Sequence, residues 1–261
     1  DQGISIFLVV LSWLLPAALW FFIIFELIVD SYLGFTFINV FFFTNLFIIS
    51  SFYKRIKTIF DESENISKTL LRYSRILKQI EDENFESEVL QKLQSQLIQG
   101  KPASAEIKKL SHYFGQLEQV LNLLGAIISN GLFLYHIRVL YKIAKWKEKN
   151  AAHIENWLET IGEFEALNSL GNFAFNNPDN CFPEINSMLK IELKDAGHPL
   201  INGKTRINND ISFREFPFVI LTGSNMSGKS TFLRMLGVNM LLARTGSVVC
   251  AKEANLHPLP I

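Results

Sequence analysis

Two long apolar stretches near the N-terminus dominate the hydrophobic pattern of the chain. Residues 4–25 and 31–53 contain no charged side chain, and as helices each is long enough to cross a hydrocarbon core of roughly 30 Å. Glu26 and Asp30 lie in the short connection between them. The pattern predicts a transmembrane helical hairpin, with a buried hairpin in a large soluble core as the alternative.

The charges beside the hairpin predict its orientation. Lys54, Arg55 and Lys57 follow the second stretch directly, whereas the connection carries only acids. By the positive-inside rule the residues after 53 lie in the cytoplasm, so we expect the chain at a bacterial-type inner membrane. A secretory signal peptide does not fit, because the first stretch lacks a basic start and a small-residue cleavage site.

Apolar residues recur at helical spacing through the middle of the chain. The pattern predicts helices over three segments: 66–80, 89–97 and 154–170. We interpret the acidic stretch 81–88 as a solvated face or a kink, with a partner-binding role as the alternative. Ser104 is expected to cap the next helix, and Gly171 with the turn at 176–179 to end the last one.

A further uncharged segment, 119–137, falls inside this helical region. It contains several Asn, Gly and Ser residues and one His, which make it less lipophilic than the hairpin. We interpret it as helix-bundle core interrupted near Asn130 and Gly131, with a third membrane span as the alternative.

The periodicity changes to that of strands after residue 183. Leu189, Ile191 and Leu193 alternate with charged residues, as in a half-buried strand. A short apolar run, 218–221, predicts another strand, and 232–243 predicts a helix. These elements indicate the front of an α/β domain.

The loop before that helix matches a phosphate-binding pattern. Residues 223–230 satisfy G-x-x-x-x-G-K-[ST]. Backbone N–H groups and the helix dipole favour an anion at a helix N-terminus. The pattern predicts nucleotide binding, with Lys229 on the β- and γ-phosphates and Ser230 as a Mg²⁺ ligand. An ordinary turn and helix cap is the alternative.

Composition and charge exclude several other classes. Lys and Arg number 25 and Asp and Glu number 25, so no domain-wide positive field points to nucleic acid. Cys181 and Cys250 are too few for a disulfide framework or a thiolate zinc site.

The residues around the loop resemble one family, the MutS-like ATPases of DNA mismatch repair. Residues 222–234 are similar to the family's T-G-P-N-M-G-G-K-S-T-[YF]-[LM]-R, in which the Asn-Met pair is diagnostic. Four further segments resemble family motifs: 165–170, 197–200, 209–211 and 246–251. The resemblance covers roughly 154–261 and leaves the membrane hairpin outside.

The resemblance implies a fold, a site and a cofactor. Together with the apolar pattern of the N-terminus, it predicts an α plus α/β fold: a transmembrane hairpin (1–57), an all-helical MutS-like core (58–183) and the start of an ABC-type P-loop nucleotide-binding domain (184–261). ATP and Mg²⁺ are the implied cofactors, with Lys229 and Ser230 in catalytic roles. The implied nucleotide contacts are Gly223, Ser224, Asn225, Met226, Ser227, Gly228, Lys229, Ser230, Thr231 and Asn209.

Two of these contacts are assigned in more detail by the resemblance. Asn225 would contact the γ-phosphate side of the nucleotide, and Asn209 would lie near the adenine. The family often stacks an aromatic side chain on the base three positions before that asparagine, where this chain has Arg206.

The family also implies DNA binding and a homodimer formed through the ATPase domains. The family's Phe-x-Glu mismatch wedge has no counterpart, because that end of the chain is predicted to be membrane. Walker B and signature motifs do not follow Lys229, so we interpret the sequence as a fragment of an ATPase. A transport ATPase and a nucleotide-switched membrane scaffold are the alternatives.

Overall fold

The computed structural model describes most of the chain: residues 6–29, 32–61, 65–98, 100–118, 123–188, 190–213, 219–225 and 227–257. Two compact units are present, Asp1–Ile161 and Gly162–Ile261. The described residues are mostly helical, with eight α-helices and one four-stranded mixed sheet.

The N-terminal hairpin consists of two apolar helices. Helix α1 is Ile6–Val29 and helix α2 is Tyr32–Asp61. By length and composition, Ile6–Val29 and Leu33–Tyr53 are able to span a membrane. Many of their large apolar side chains are exposed, as expected for helices that face lipid. Glu26 was expected in the connection but lies in the last turn of α1, because that helix continues to Val29.

Five helices follow the hairpin: α3 Ile66–Asp82, α4 Glu88–Leu97, α5 Ala103–Glu118, α6 Leu123–Phe133 and α7 Tyr135–Asn176. Four of them, α3, α4, α5 and α7, contribute to one buried apolar core: Leu77, Leu97, Ala103, Trp146, Trp157 and Ile161. The helices predicted from periodicity at 66–80, 89–97 and 154–170 are confirmed.

One predicted helix start is wrong, and one predicted helix end is confirmed only in part. Ser104 does not precede a helix but lies in the first turn of α5, where its backbone N–H donates to Glu81 Oε1 at 2.8 Å. Its hydroxyl donates to the other oxygen of the same carboxylate. Glu81, from the acidic stretch, therefore supplies negative charge at the N-terminus of α5. Gly171 does not end α7, because a single glycine costs a helix only about 1 kcal/mol, and the helix ends at Asn176, where the predicted turn begins.

The interruption of the uncharged segment also differs from the prediction. Helix α7 is bent by 84° relative to helix α6. The bend lies at Leu134, whose φ is 46°. Asn130 and Gly131 lie inside α6 instead. Asn130 does not break the helix because its side chain bridges the bend, with Oδ1 accepting the backbone N–H of His136 at 3.2 Å.

Glu106 ties α5 to α7 from a buried position, with only 4% of its surface exposed. Its Oε1 accepts from Lys149 Nζ at 3.1 Å, and its Oε2 accepts from Asn150 Nδ2 at 3.4 Å. Burial by itself raises the pKa of this carboxyl. The hydrogen bond from Lys149 and the nearby lysine charges outweigh burial, so the pKa lies below its ordinary value.

We expect Glu106→Gln to lower the free energy of unfolding by roughly 1–2 kcal/mol at neutral pH, because the charge-assisted hydrogen bonds are weakened. The folded-state pKa is lowered, so this contribution is present above the unfolded pKa and is lost as the pH falls through the folded pKa. We expect the difference in melting temperature between variant and wild type, measured on the full chain by tryptophan fluorescence, to become smaller in acid.

Glu148→Gln is the matched control, since Glu148 forms an exposed ion pair with Lys145 and such pairs contribute little. If the difference in melting temperature between Glu106→Gln and wild type stayed constant from neutral to acid pH, the role given to the ionised carboxylate would be contradicted.

The second unit contains a small sheet and one helix after the end of α7. Its strands are β1 Glu184–Ile185, β2 Ile191–Ala196, β3 Asn209–Phe213 and β4 Glu253–Leu256, in the order β1-β4-β2-β3. Strand β2 runs antiparallel to both of its neighbours, and β1 is parallel to β4. Strand β2 confirms the alternation at Ile191 and Leu193, whereas Leu189 lies outside the described residues.

Helix α8, Lys229–Arg244, packs on this sheet. It contributes Met235 and Ala243 to a core that includes Leu193, Ile211 and Leu256. The predicted helix at 232–243 is therefore confirmed. The amphipathic fit of α8 to the sheet positions its N-terminus and the loop before it.

The strand predicted at 218–221 is not found in the described residues. Val219, Ile220 and Leu221 belong to no strand and are 41% to 69% exposed, and Phe218 lies outside the described part. A strand requires a neighbour for its backbone hydrogen bonds, and no described strand pairs with these three residues.

Candidate phosphate-binding site

The phosphate-binding pattern lies at the start of α8. Gly228 precedes the helix with a φ of 84°, a left-handed conformation that favours glycine. Lys229 is the first helical residue, and Ser230 and Thr231 follow in the first turn. The first backbone N–H groups of a helix have no intrahelical partner, and the helix dipole adds partial positive charge. The local geometry thus suits an anion.

Lys229 folds back over the loop that precedes it. Its Nζ donates to Gly223 O at 2.7 Å and to Ser224 O at 2.5 Å, and it lies 3.4 Å from Ser227 Oγ. These contacts are at exposed positions. An ammonium group held on neutral carbonyl oxygens can exchange them for charged phosphate oxygens, which form stronger hydrogen bonds.

The loop itself is tightly folded. A Cβ added to Gly223 would lie 2.8 Å from Ser227 Oγ, which is too close for any larger residue without a shift. The N–H of Ser227 donates to Ser224 O at 3.3 Å. Asn225 is exposed, and Met226 lies outside the described residues. Close backbone approach is what a phosphate cradle requires.

A cavity of about 600 Å³ lies beside the loop. Its first wall is Leu221, Thr222, Gly223, Ser227, Gly228, Lys229, Thr231, Phe232 and Met235. Its second wall, hereafter the 198–209 wall, is His198, Ile201, Thr205, Arg206, Ile207 and Asn209. This volume falls in the range of small-molecule and cofactor sites.

The structure brings part of the predicted site together at this cavity. The lining includes Gly223, Ser227, Gly228, Lys229, Thr231 and Asn209. Three predicted residues among those described are not part of the lining: Ser224, Asn225 and Ser230. Ser230 is exposed in the first turn of α8, on the helix end rather than on the cavity wall.

The cavity also contains residues that the sequence did not indicate. Ile201, Thr205 and Ile207 come from a turn-rich segment without periodicity, so no sequence signal separated them from ordinary loop residues. Phe232 lies at the aromatic position of the family pattern and Met235 follows Lys229 at helical spacing, but neither was predicted to line the site.

Asn239 holds the start of the 198–209 wall beside α8. It is fully buried, and its Nδ2 donates to Gly197 O at 3.0 Å while its Oδ1 accepts from Cys250 N at 2.7 Å. A Cβ at Gly197 would lie 2.3 Å from Arg206 Nε, so this turn is also closely packed against the wall. One side chain therefore connects the helix, the turn and the segment before β4.

We expect Asn239→Ala to destabilise the second unit by about 2–3 kcal/mol, because two buried backbone groups lose their partner. Hydrogen exchange of the β2 amides should then become roughly 30- to 150-fold faster where exchange requires unfolding of the unit. Leu241→Ala is the control on the same helix, since Leu241 is 52% exposed. Equal exchange rates in both variants would show that Asn239 does not connect these elements.

Two polar residues of the 198–209 wall have local partners. Arg206 Nε donates to Asn208 Oδ1 at 2.9 Å. His198 Nδ1 accepts the N–H of Leu200 at 3.2 Å, which is a turn contact. Nearby, burial raises the pKa of the Cys250 thiol, so this cysteine is not an activated nucleophile.

Comparison with known proteins bears on this part of the chain. The family model described as MutS domain V matches residues 219–260. The C-terminal part of this chain is MutS-like. The MutS-like match begins at the loop and contains α8 and β4.

Curated MutS proteins show the same similarity. DNA mismatch repair protein MutS of Prochlorococcus marinus (strain MIT 9303) is 35% identical over 113 residues, which are 41% of this chain and 12% of that protein. MutS of Clostridium kluyveri is 31% identical over 115 residues, which are 42% of this chain and 13% of that protein. The chain thus matches about an eighth of the length of these MutS relatives.

Proposed function

We propose that this chain is part of a membrane-anchored MutS-like ATPase that binds ATP with Mg²⁺ and couples binding to a DNA transaction of the mismatch-repair type. The observation that carries the proposal is the position of Lys229. It lies in the first turn of a helix, over a tight glycine-containing loop and beside a cavity of about 600 Å³, within the MutS-like segment.

The residues of the loop fit a triphosphate. The N–H groups at the start of α8 would hold phosphate oxygens, and Lys229 would leave its carbonyl partners for the β- and γ-phosphates. Ser230 would ligate Mg²⁺, which would neutralise charge on the phosphates. Asn225 would lie on the γ-phosphate side.

The 198–209 wall fits the nucleoside end of the ligand. If the loop holds the phosphates, the remaining space of the cavity lies against Arg206 and Asn209. An arginine can stack on a purine face and an asparagine can hydrogen-bond its edge. We therefore place the adenine beside these two residues.

The proposed function is tested by measuring ATP binding to the full chain in lipid nanodiscs. Equilibrium dialysis should show saturable binding of ATP that depends on Mg²⁺, because the metal offsets the charge of the triphosphate. Absence of magnesium-dependent uptake by the folded chain would refute the proposal. Release of phosphate after binding would separate an ATPase from a nucleotide-switched scaffold.

The membrane part of the proposal rests on the hairpin and the basic residues that follow it. Lys57 is exposed on α2 beyond the apolar span, and the side chains of Lys54 and Arg55 lie outside the described part of the chain. We propose an inner-membrane location with the residues after 53 on the cytoplasmic side. A cytoplasmic side is also where ATP is available.

DNA binding is proposed from the relatives, whose names refer to DNA mismatch repair, and a homodimer is proposed from the resemblance to the MutS-like family. The net charge of zero makes DNA binding weak unless local phosphate contacts exist. A binding assay at increasing salt should show a steep loss of affinity for duplex DNA. Absence of binding at low salt would refute the proposed DNA binding.

Sedimentation with and without ATP would test a homodimer through the nucleotide-binding domains.

A further inference from the structure

Helix α6 has the inverse of the pattern expected for a helix on a protein surface in water. Its exposed large side chains are apolar: Leu124, Ile128 and Phe133 are 73%, 58% and 41% exposed. Asn130 is only 1% exposed, and its Nδ2 donates to Ala126 O at 2.8 Å. Apolar residues outside and polar groups satisfied inside are typical of helices in lipid.

This helix packs against the middle of the membrane hairpin. The rings of Phe133 and Trp20 have centroids 5.8 Å apart. The buried Asn45 donates through Nδ2 to Gly131 O at 2.8 Å, and a Cβ at Gly131 would lie 2.2 Å from the Phe42 ring. Asn45 precedes the end of the α2 span by about 12 Å of helix.

The end of α5 and the start of α7, which flank α6 in the chain, meet at one end of the hairpin. Leu117 near the end of α5 and Val139 near the start of α7 form one buried cluster, and Ile49 and Phe52 of α2 pack against it. These two residues lie at the end of the apolar span that carries the basic residues. The chain therefore approaches and leaves α6 at the same level of the hairpin.

The bend itself is stabilised by a residue suited to a membrane interface. Arg138 lies over the Trp13 ring, 4.3 Å from its centroid, and its guanidinium donates to Phe133 O at the end of α6. An arginine that reaches along an aromatic ring to a freed carbonyl group is a known way to place a charge near the edge of the hydrocarbon.

We infer that α6 and the first turn of α7 form a membrane-embedded elbow, defined as Leu123–Arg138, whose partner is the lipid bilayer. The elbow enters the bilayer beside the hairpin and returns to the side from which it came. It anchors the helical core at a second point and limits how that core can tilt against the membrane. The inference depends on the proposed insertion of the hairpin.

Three single-cysteine variants of matched exposure test the elbow in the full chain, with Cys181 and Cys250 replaced by serine. Ile24→Cys reports on the hairpin, Ile128→Cys on α6, and Leu158→Cys on α7 beyond the elbow. These side chains are 54%, 58% and 55% exposed. The probe is a membrane-impermeant maleimide applied to inside-out membrane vesicles.

We expect Leu158→Cys to react readily and Ile24→Cys and Ile128→Cys to react at least about tenfold more slowly, because lipid excludes the probe. All three should react fully after denaturation in detergent. Labelling of Ile128→Cys as fast as Leu158→Cys would overturn the elbow alone. Fast labelling of Ile24→Cys would instead overturn the hairpin, and the elbow with it.

A second pair of variants separates an elbow from a complete span. Lys109 lies on α5 before the elbow and Lys145 lies on α7 after it, and both side chains are exposed. The two variants are Lys109→Cys and Lys145→Cys. Both should react from the cytoplasmic face of the vesicles. Reaction of the two positions from opposite faces would show that α6 and α7 cross the bilayer and would overturn the inference.

Discussion

Replacing Lys229 by alanine is expected to weaken ATP binding by at least about 100-fold, which corresponds to roughly 2.7 kcal/mol. The ammonium group is the only side-chain cation in the described lining of the first cavity wall, and charge-assisted hydrogen bonds to phosphate are the strongest contacts available there. Its loss also frees the carbonyl groups of Gly223 and Ser224, which loosens the loop. Isothermal titration of the full chain with Mg-ATP measures the change.

Two controls distinguish the phosphate contact from a general effect on folding. AMP lacks the β- and γ-phosphates, so its affinity should change little in Lys229→Ala. Lys252→Ala removes a lysine of the same unit that pairs with Asp195 and is not part of the cavity lining, so its ATP affinity should stay at the wild-type value. Equal ATP affinity of Lys229→Ala and wild type would refute the assigned site.

Removing residues 1–44 is expected to move most of the protein from the membrane fraction to the soluble fraction. The deletion takes away α1 and most of the α2 span but keeps Asn45, Ile49 and Phe52, which contact the rest of the first unit. Helix α6 has 11 residues, too few to cross a bilayer that requires about 20. Alkaline carbonate extraction followed by quantification of both fractions measures the change.

The full-length Lys229→Ala variant is the control for this experiment, since it alters the second unit and leaves the hairpin intact. It should stay in the membrane fraction as the wild type does. If the shortened chain also resisted extraction while retaining its ATP affinity, the hairpin would not be the main anchor. The segment 124–176 would then have to be treated as a complete broken span.

Spacing in the sequence predicted the part of the site whose residues are close in the chain, and the family resemblance added Asn209 of the 198–209 wall. Residues 223–231 form one loop and one helix start, so their spacing alone predicts a phosphate cradle. The 198–209 wall lies more than ten residues away, and it meets the loop because the buried Asn239 holds Gly197 against α8. No local pattern specifies such a contact, since it depends on how the sheet and helix pack.

The fold shows the same division at particular positions. Periodicity predicted α3 and β2 correctly, because burial of one face repeats at 3.6 or 2 residues. The bend was predicted at Asn130 and Gly131 but lies at Leu134. The side chain of Asn130 hydrogen-bonds across the bend and does not interrupt its own helix. The short apolar run at 218–221 predicted a strand, but a strand also requires a paired neighbour, and the described residues 219–221 have none.

The sequence by itself determined the apolar hairpin, the order of the helices and the residue pattern of the predicted phosphate-binding loop, because each depends on residues that are neighbours in the chain. Only the tertiary structure decided which carboxylate caps α5, where α6 bends and what faces Lys229 across the cavity. Those features arise from contacts between residues far apart in sequence, whose geometry is set by packing of the whole unit.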